Sequence, residues 1–118
     1  EMIVVATSGG NNFLYCVIAH GAILRVRAKS SVIADQIAIN FRKADIPEKQ
    51  IAMLEFAIKI SDDSKSISDS DFEHLRGYGF DDEDIWDIAG ITSFFGMSNR
   101  MANFTSMRPN DEFYSMGR

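Results

Sequence analysis

The sequence is poor in cysteine, histidine, proline and positive charge. Its 118 residues include one cysteine, two histidines and two prolines, and 17 acidic side chains outnumber 12 basic ones for a net charge of −5. A single cysteine cannot form an internal disulfide, which favours a reducing, cytoplasmic setting. The acidic balance without a basic stripe argues against nucleic-acid binding. No apolar run reaches the roughly 20 residues that a membrane span needs, so no membrane association is expected.

The chain is rich in hydrophobic residues. Hydrophobic residues make up 46% of it and nine are phenylalanine, enough to bury a core without disulfides or metals. This composition and length predict one globular domain over residues 1–118. The chain begins at Glu1 inside an apolar, helix-like run (residues 2–5), which predicts that upstream residues are missing.

Apolar residues recur at helical spacing along most of the chain, and no run alternates as a strand does. A first helix is predicted from the start to about Ser8, ended by Gly9 and Gly10. A second is predicted from after Asn12 to near Ala28, and a serine at position 30 or 31 is expected to cap a third.

The second half of the chain carries clearer helix signals. Pro47 is typical of the first turn of a helix, and the largely apolar stretch after it predicts a buried one. Residues 61–66 are polar and predict a loop, and the tail from Arg108 is expected to be irregular. Two pairs of N-terminal capping residues open a short helix over residues 69–77 and a long one through Met101, namely Ser68 with Asp71 and Asp81 with Asp84. The predicted architecture is an all-α bundle of five to six helices.

The most promising chemistry lies at Cys16 and His20. Positions i and i+4 of a helix share one face, on the order of 6 Å apart along the axis. If Asn12 caps the helix, Cys16 sits in its first turn, where unpaired N–H groups and the dipole favour a thiolate. The alternatives are a buried, inert cysteine and a histidine bonded to the backbone inside the bundle.

Other candidates favour ordinary structural explanations. His74 lies among acidic neighbours on a short amphipathic helix, which predicts a solvated surface residue. The acidic run at residues 81–84 lacks the glycine and ligand spacing of a calcium loop, and no set of residues has metal-ligand spacing. Glu1 could join Cys16 and His20 in proton transfer if the first helix packs beside the second, although a terminal glutamate is usually solvated.

Six segments together resemble a known family. They are E-M-I-V-V at 1, Y-C-V-I-A-H-G-A at 15, A-M-L-E-F-A at 52, D-I-W-D-I-A at 84, F-G-M-S-N-R at 95 and M-R-P-N-D-E at 107. The chain resembles the alkylhydroperoxidase (AhpD-like) and carboxymuconolactone decarboxylase superfamily, and most closely its peroxidase-related branch. The resemblance implies an AhpD-like helical bundle, assembly as a homo-oligomer (trimer or hexamer), and no metal or organic cofactor.

The family pattern is a glutamate, eleven residues, C-x-x-C, three residues and a histidine. Glu1, Cys16 and His20 occupy its glutamate, second cysteine and histidine, and Tyr15 stands where the peroxidase itself often has a histidine. In the family the downstream cysteine attacks the peroxide, the upstream one resolves it as a disulfide, and the glutamate and histidine relay the proton. The resemblance therefore implies that Cys16 is the nucleophile, with Tyr15 as a supporting hydrogen-bonding group.

Phe13 stands in the place of the family's first cysteine. A benzyl group cannot condense with a sulfenic acid, which excludes a two-cysteine cycle within this chain. Three functions remain open. The leading one is a one-cysteine peroxidase that reduces small hydroperoxides and is regenerated by an external thiol. The others are a cofactor-free lyase of the decarboxylase type that uses Glu1 and His20, and a catalytically degenerate homologue kept for binding or assembly.

Overall fold

The computed structural model describes the whole chain, Glu1–Arg118, and contains helices without any β-strand. None of its helices is both long and apolar enough to cross a bilayer. The six longer helices are α1 Met2–Gly10, α2 Leu14–Ala28, α3 Ile33–Asn40, α4 Glu48–Asp63, α5 Asp69–Gly77 and α6 Asp82–Phe104. Two 3₁₀ turns (Phe41–Lys43 and Ser64–Ser66) and the four-residue α7 (Glu112–Ser115) complete the chain. The predicted all-α bundle of five to six helices is confirmed, with α7 added in the tail that was expected to be irregular.

Helix α1 forms the centre of the bundle. Six consecutive residues, from Ile3 to Ser8, are buried, so the helix is enclosed on every side. It packs against α2, α3, α4 and α6, which is why it lacks the polar face of a surface helix. This central position brings both of its ends against the helices that carry the candidate site.

Gly9 allows the close approach of α1 to α3. A Cβ atom at this position would lie 3.1 Å from both the Cα and the carbonyl carbon of Ala38. Backbone atoms cannot swing aside as a flexible side chain can, so only glycine fits here without moving a helix. The predicted role of Gly9 as a helix breaker is wrong, because α1 continues through it to Gly10.

The two predicted capping pairs are confirmed. Ser68 donates its N–H to the Asp71 carboxylate (2.9 Å), and a reciprocal pair of bonds joins Asp81 and Asp84 at the start of α6. Each box involves only residues three positions apart, so local sequence suffices to specify it.

Three other boundaries differ from the prediction. Asn12 does not cap α2, because its backbone is left-handed (φ 58°) and Phe13 takes the N-cap position. The third helix is capped by Val32 rather than by a serine, and Pro47 is the N-cap of α4 rather than a residue of its first turn. Asparagine tolerates the left-handed conformation better than most residues, and it serves here to turn the chain between α1 and α2.

The predicted loop at residues 61–66 is partly wrong, because α4 extends through Asp63 before the 3₁₀ turn begins. Ser61 is held by the side chain of Asn11, whose Nδ2 donates to its hydroxyl (3.3 Å). Packing of α4 against α1 and α6 supports this extra turn despite its polar sequence.

An ion pair joins the end of α4 to the start of α5. Lys59 Nζ lies 3.0 and 2.9 Å from the two carboxylate oxygens of Asp71. Hydrogen bonds from Lys59 and from the Ser68 backbone lower the pKa of Asp71.

Candidate active site at the start of helix α2

Cys16 is the third residue of α2 and is almost completely buried, with 1% of its surface exposed. No side chain caps this helix, since the N-cap residue Phe13 offers no hydrogen-bond acceptor. The predicted first-turn position of Cys16 is confirmed, although the helix begins one residue later than an Asn12 cap would place it.

Burial dominates the electrostatics of the thiol. Loss of solvation raises the pKa of Cys16, and the nearby Ser8 hydroxyl offsets part of this rise by hydrogen bonding the charged form. The resting group is therefore a neutral thiol, which needs a base before it can act as a nucleophile.

Ser8 belongs to a buried polar pair that the sequence analysis did not identify. Its hydroxyl donates to Oδ1 of Asn99 on α6 (3.1 Å), and both side chains are at most 1% exposed. The single hydroxyl proton can be donated to Asn99 Oδ1 or to a charged Cys16 sulfur, but not fully to both. The two residues lie 91 positions apart, and the only local sign of the pair is a polar residue inside the apolar α1.

His20, one turn after Cys16, is paired with Glu1. Its Nδ1 lies 2.8 Å from Glu1 Oε2, and the two side chains are 20% and 22% exposed. A carboxylate accepts the hydrogen bond, so Nδ1 is the nitrogen that carries the proton, and in the neutral ring Nε2 is an acceptor. The His20 ring also packs edge-on against Phe95, with 4.9 Å between ring centroids.

Helix α1 packs beside α2, as proton transfer involving Glu1 requires, and this brings the Glu1 carboxylate to His20. No hydrogen bond joins His20 to the thiol directly. The hydroxyl of Tyr15 makes no hydrogen bond within the chain, so its supporting role stays a prediction. The rings of Tyr15 and Phe13 instead line a cavity of about 190 Å³ beside the start of α2.

The second histidine lies elsewhere. His74 is exposed on α5, where its ring packs edge-on against Tyr78 (5.3 Å between centroids). This position confirms the interpretation of His74 as a surface residue. No group of three or more histidine, cysteine or acidic side chains is arranged to hold a metal ion.

Two solved structures have the same arrangement of helices. One is the alkylhydroperoxidase AhpD core of a peroxidase-related protein from Ralstonia eutropha JMP134, with 62% sequence identity and a TM-score of 0.98. The other is a peroxidase-related protein from Silicibacter sp. TM1040, with 42% identity and a TM-score of 0.96. The fold is that of the AhpD core. The resemblance inferred from the sequence is thus supported by structures that match 99% of this chain.

The chain spans about three fifths of the length of these relatives, 62% and 61% respectively. It matches no model of a protein family, and no curated protein sequence matches it. The relatives support the AhpD-core fold, while the chemistry of this chain depends on its own residues.

Proposed function

We propose that this protein is a peroxidase-related member of the AhpD-like superfamily that reduces small hydroperoxides with Cys16 alone. The observation that carries the proposal is the Glu1–His20 pair one helical turn from a buried thiol, on a fold similar to the AhpD core. An external thiol is the reductant, since Phe13 cannot resolve the oxidised cysteine. A reducing cytoplasmic compartment suits this requirement.

The first half-reaction is a displacement at oxygen. His20 Nε2 takes the thiol proton through the bound peroxide or a bridging water, while Glu1 stabilises the imidazolium that forms. The thiolate attacks the terminal peroxide oxygen, the O–O bond breaks, and the leaving alkoxide recovers a proton from His20. Cys16 is oxidised to a sulfenic acid and the hydroperoxide is reduced to an alcohol.

The second half-reaction uses two molecules of external thiol. The first condenses with the sulfenic acid to form a mixed disulfide and water. The second attacks that disulfide, which releases the oxidised reductant and restores the Cys16 thiol.

The proposal is tested by exposing the reduced protein to substoichiometric hydroperoxide and following Cys16 by intact mass and thiol titration. We expect rapid gain of one oxygen atom, abolished in Cys16→Ser and slowed in His20→Gln. His74→Gln is the matched control, because it removes the exposed histidine of α5. Oxidation no faster than that of free cysteine, or equal slowing by both histidine variants, would refute the peroxidase assignment.

One observation favours a second candidate. Burial raises the pKa of the Cys16 thiol, whereas the Glu1–His20 pair is partly exposed and already assembled for proton transfer. These features suit a cofactor-free lyase acting on a small acidic metabolite. That enzyme would need Glu1 and His20 but would tolerate Cys16→Ser. A degenerate homologue, by contrast, would have no activity, so substitution of Glu1, His20 or Cys16 would change none.

We further propose that the chain forms a homo-oligomer, a trimer or hexamer, through α6. Five large apolar side chains of this helix are 55–82% exposed and lie within about 80° of one another around its axis, namely Trp86, Phe94, Met97, Met101 and Phe104. Sedimentation should show Phe104→Glu shifting the protein toward smaller species. Ile39→Glu, at an equally exposed position on α3, should leave the assembly unchanged.

A further inference from the structure

The cavity beside the start of α2 has an unusual charge for this acidic protein. It holds about 190 Å³, roughly six water volumes. Its walls come from the first residues of α2, the last turns of α6 and the loop after α6. None of its nine lining residues is acidic, and one is Arg108. The cavity is therefore a local exception in a chain of net charge −5.

The start of α2 contributes unpaired donors on one side. The N–H groups of Leu14, Tyr15 and Cys16 precede the first backbone bond of the helix, from Val17 N to Phe13 O, and no side chain caps them. Leu14 and Tyr15 line the cavity. An uncapped N-terminus of a 15-residue helix favours a negative charge, both through these donors and through the helix dipole.

Asn99 supplies an independent indication of a ligand site. Its Oδ1 accepts the bond from Ser8, whereas its Nδ2 is buried without a partner and is the one buried side-chain polar atom of the chain so left. Asn99 also lines the cavity. A buried donor without an acceptor costs about 1–3 kcal/mol, which an acceptor bound in the cavity would offset.

Arg108 adds a full positive charge that nothing in the chain neutralises. It forms no salt bridge, unlike Arg42, Arg76 and Arg118. The loop that carries it is fixed on α6 by the bond from Met107 N to Ala102 O (2.9 Å). The backbone at Arg108 is therefore held beside the cavity, while its exposed side chain remains available for a ligand.

The negative end of the α6 dipole does not oppose an anion strongly. Three of the last α6 carbonyls accept backbone N–H groups of the following turn: Met101 O from Thr105, Ala102 O from Met107, and Asn103 O from Ser106. Carbonyls that are already paired present less negative charge to the cavity.

Much of the remaining wall is apolar. Phe13, Leu14, Ala102 and Met107, together with the Tyr15 ring, cover the parts of the cavity without donors. We propose that this cavity binds a small organic carboxylate, with the carboxylate held by Asn99, Arg108 and the α2 N-terminus and its apolar body against the aromatic rings. This site is independent of the peroxidase proposal, because it requires neither an oxidisable Cys16 nor the Glu1–His20 pair.

The proposal is tested by calorimetric titration of the whole chain with benzoate. We expect saturable binding of one molecule per chain, with a dissociation constant of roughly 1 mM or below for a ligand of this size. Arg108→Gln should weaken it by about tenfold, the usual effect of losing one charged hydrogen bond. Arg100→Gln, which removes an exposed arginine of α6 outside the cavity, should bind as the wild type does.

Four further arms separate the alternatives: two variants, an uncharged analogue and inorganic phosphate. Asn99→Leu should weaken benzoate binding, and Cys16→Ser should leave it unchanged even if peroxidase activity is lost. Benzamide, the uncharged analogue, should bind at least tenfold more weakly than benzoate. Absence of benzoate binding, equal binding of benzamide, or stronger binding of inorganic phosphate would overturn the proposal. Equal losses in Arg108→Gln and Arg100→Gln would do so too, by assigning the effect to net charge alone.

Discussion

Replacement of Ser8 by alanine tests how the buried polar pair controls the reactive thiol. The substitution removes the hydroxyl that favours the charged form of Cys16, so the pKa of the thiol should rise further. It also removes the donor to Asn99 Oδ1, which leaves both polar atoms of a buried amide without a partner. The variant should therefore be both less reactive at Cys16 and less stable.

The stability cost follows from the burial of the pair. Leaving a buried polar group unpaired costs about 1–3 kcal/mol, and neither residue is more than 1% exposed. For a chain of this size such a loss lowers the urea midpoint by on the order of 1 M. Adding Asn99→Leu removes the orphaned amide as well, so the double variant should lose less stability than the two single losses summed.

The assays are the rate of Cys16 alkylation as a function of pH and urea unfolding. Thr7→Val is the matched control, because Thr7 is the buried neighbour of Ser8 and donates its hydroxyl to Ile3 O within α1 (2.8 Å). It should lose stability without moving the pKa of Cys16. An unchanged or lowered pKa in Ser8→Ala, or strict additivity in the double variant, would show that the pair does not act as described.

Three further substitutions test the helix contacts and the thiol geometry. Gly9→Ala should lower the free energy of unfolding by about 1–3 kcal/mol in chemical denaturation, because its Cβ meets the backbone of α3. Gly90→Ala, on the open face of α6, should instead raise the free energy of unfolding by about 0.5–1 kcal/mol. Phe13→Cys should form a disulfide with Cys16 on oxidation, because the N-cap and the third helical position are neighbours in space. The bond is detected as a loss of both thiols without dimer formation. Persistence of two free thiols would contradict the observed start of α2. The pKa of Asp71 is lowered in the fold, so the stability from its ion pair with α4 is present above the usual aspartate pKa and is lost as pH falls through the lowered value. Asp71→Asn should therefore lose stability near neutral pH and show a weaker acid dependence, and parallel pH–stability curves for variant and wild type would refute this account.

Local sequence determined the features that involve neighbours along the chain. The Ser68 and Asp81 capping boxes need only residues three positions apart, and the shared face of Cys16 and His20 needs only a helix through both. The all-α architecture followed from spacing of the same kind, repeated along the chain. These are short-range effects, and the surrounding fold had little influence on them.

Tertiary structure decided which distant groups meet and how the thiol behaves. Whether Glu1 reaches His20 depends on α1 packing beside α2, and the Ser8–Asn99 pair joins residues 91 positions apart. The sequence showed a cysteine at a helix start, where the dipole favours a thiolate. The folded chain buries that cysteine, and the loss of solvation raises the pKa of its thiol. Position along the helix was thus set locally, whereas ionisation was set by burial, which only the packing of the whole bundle fixes.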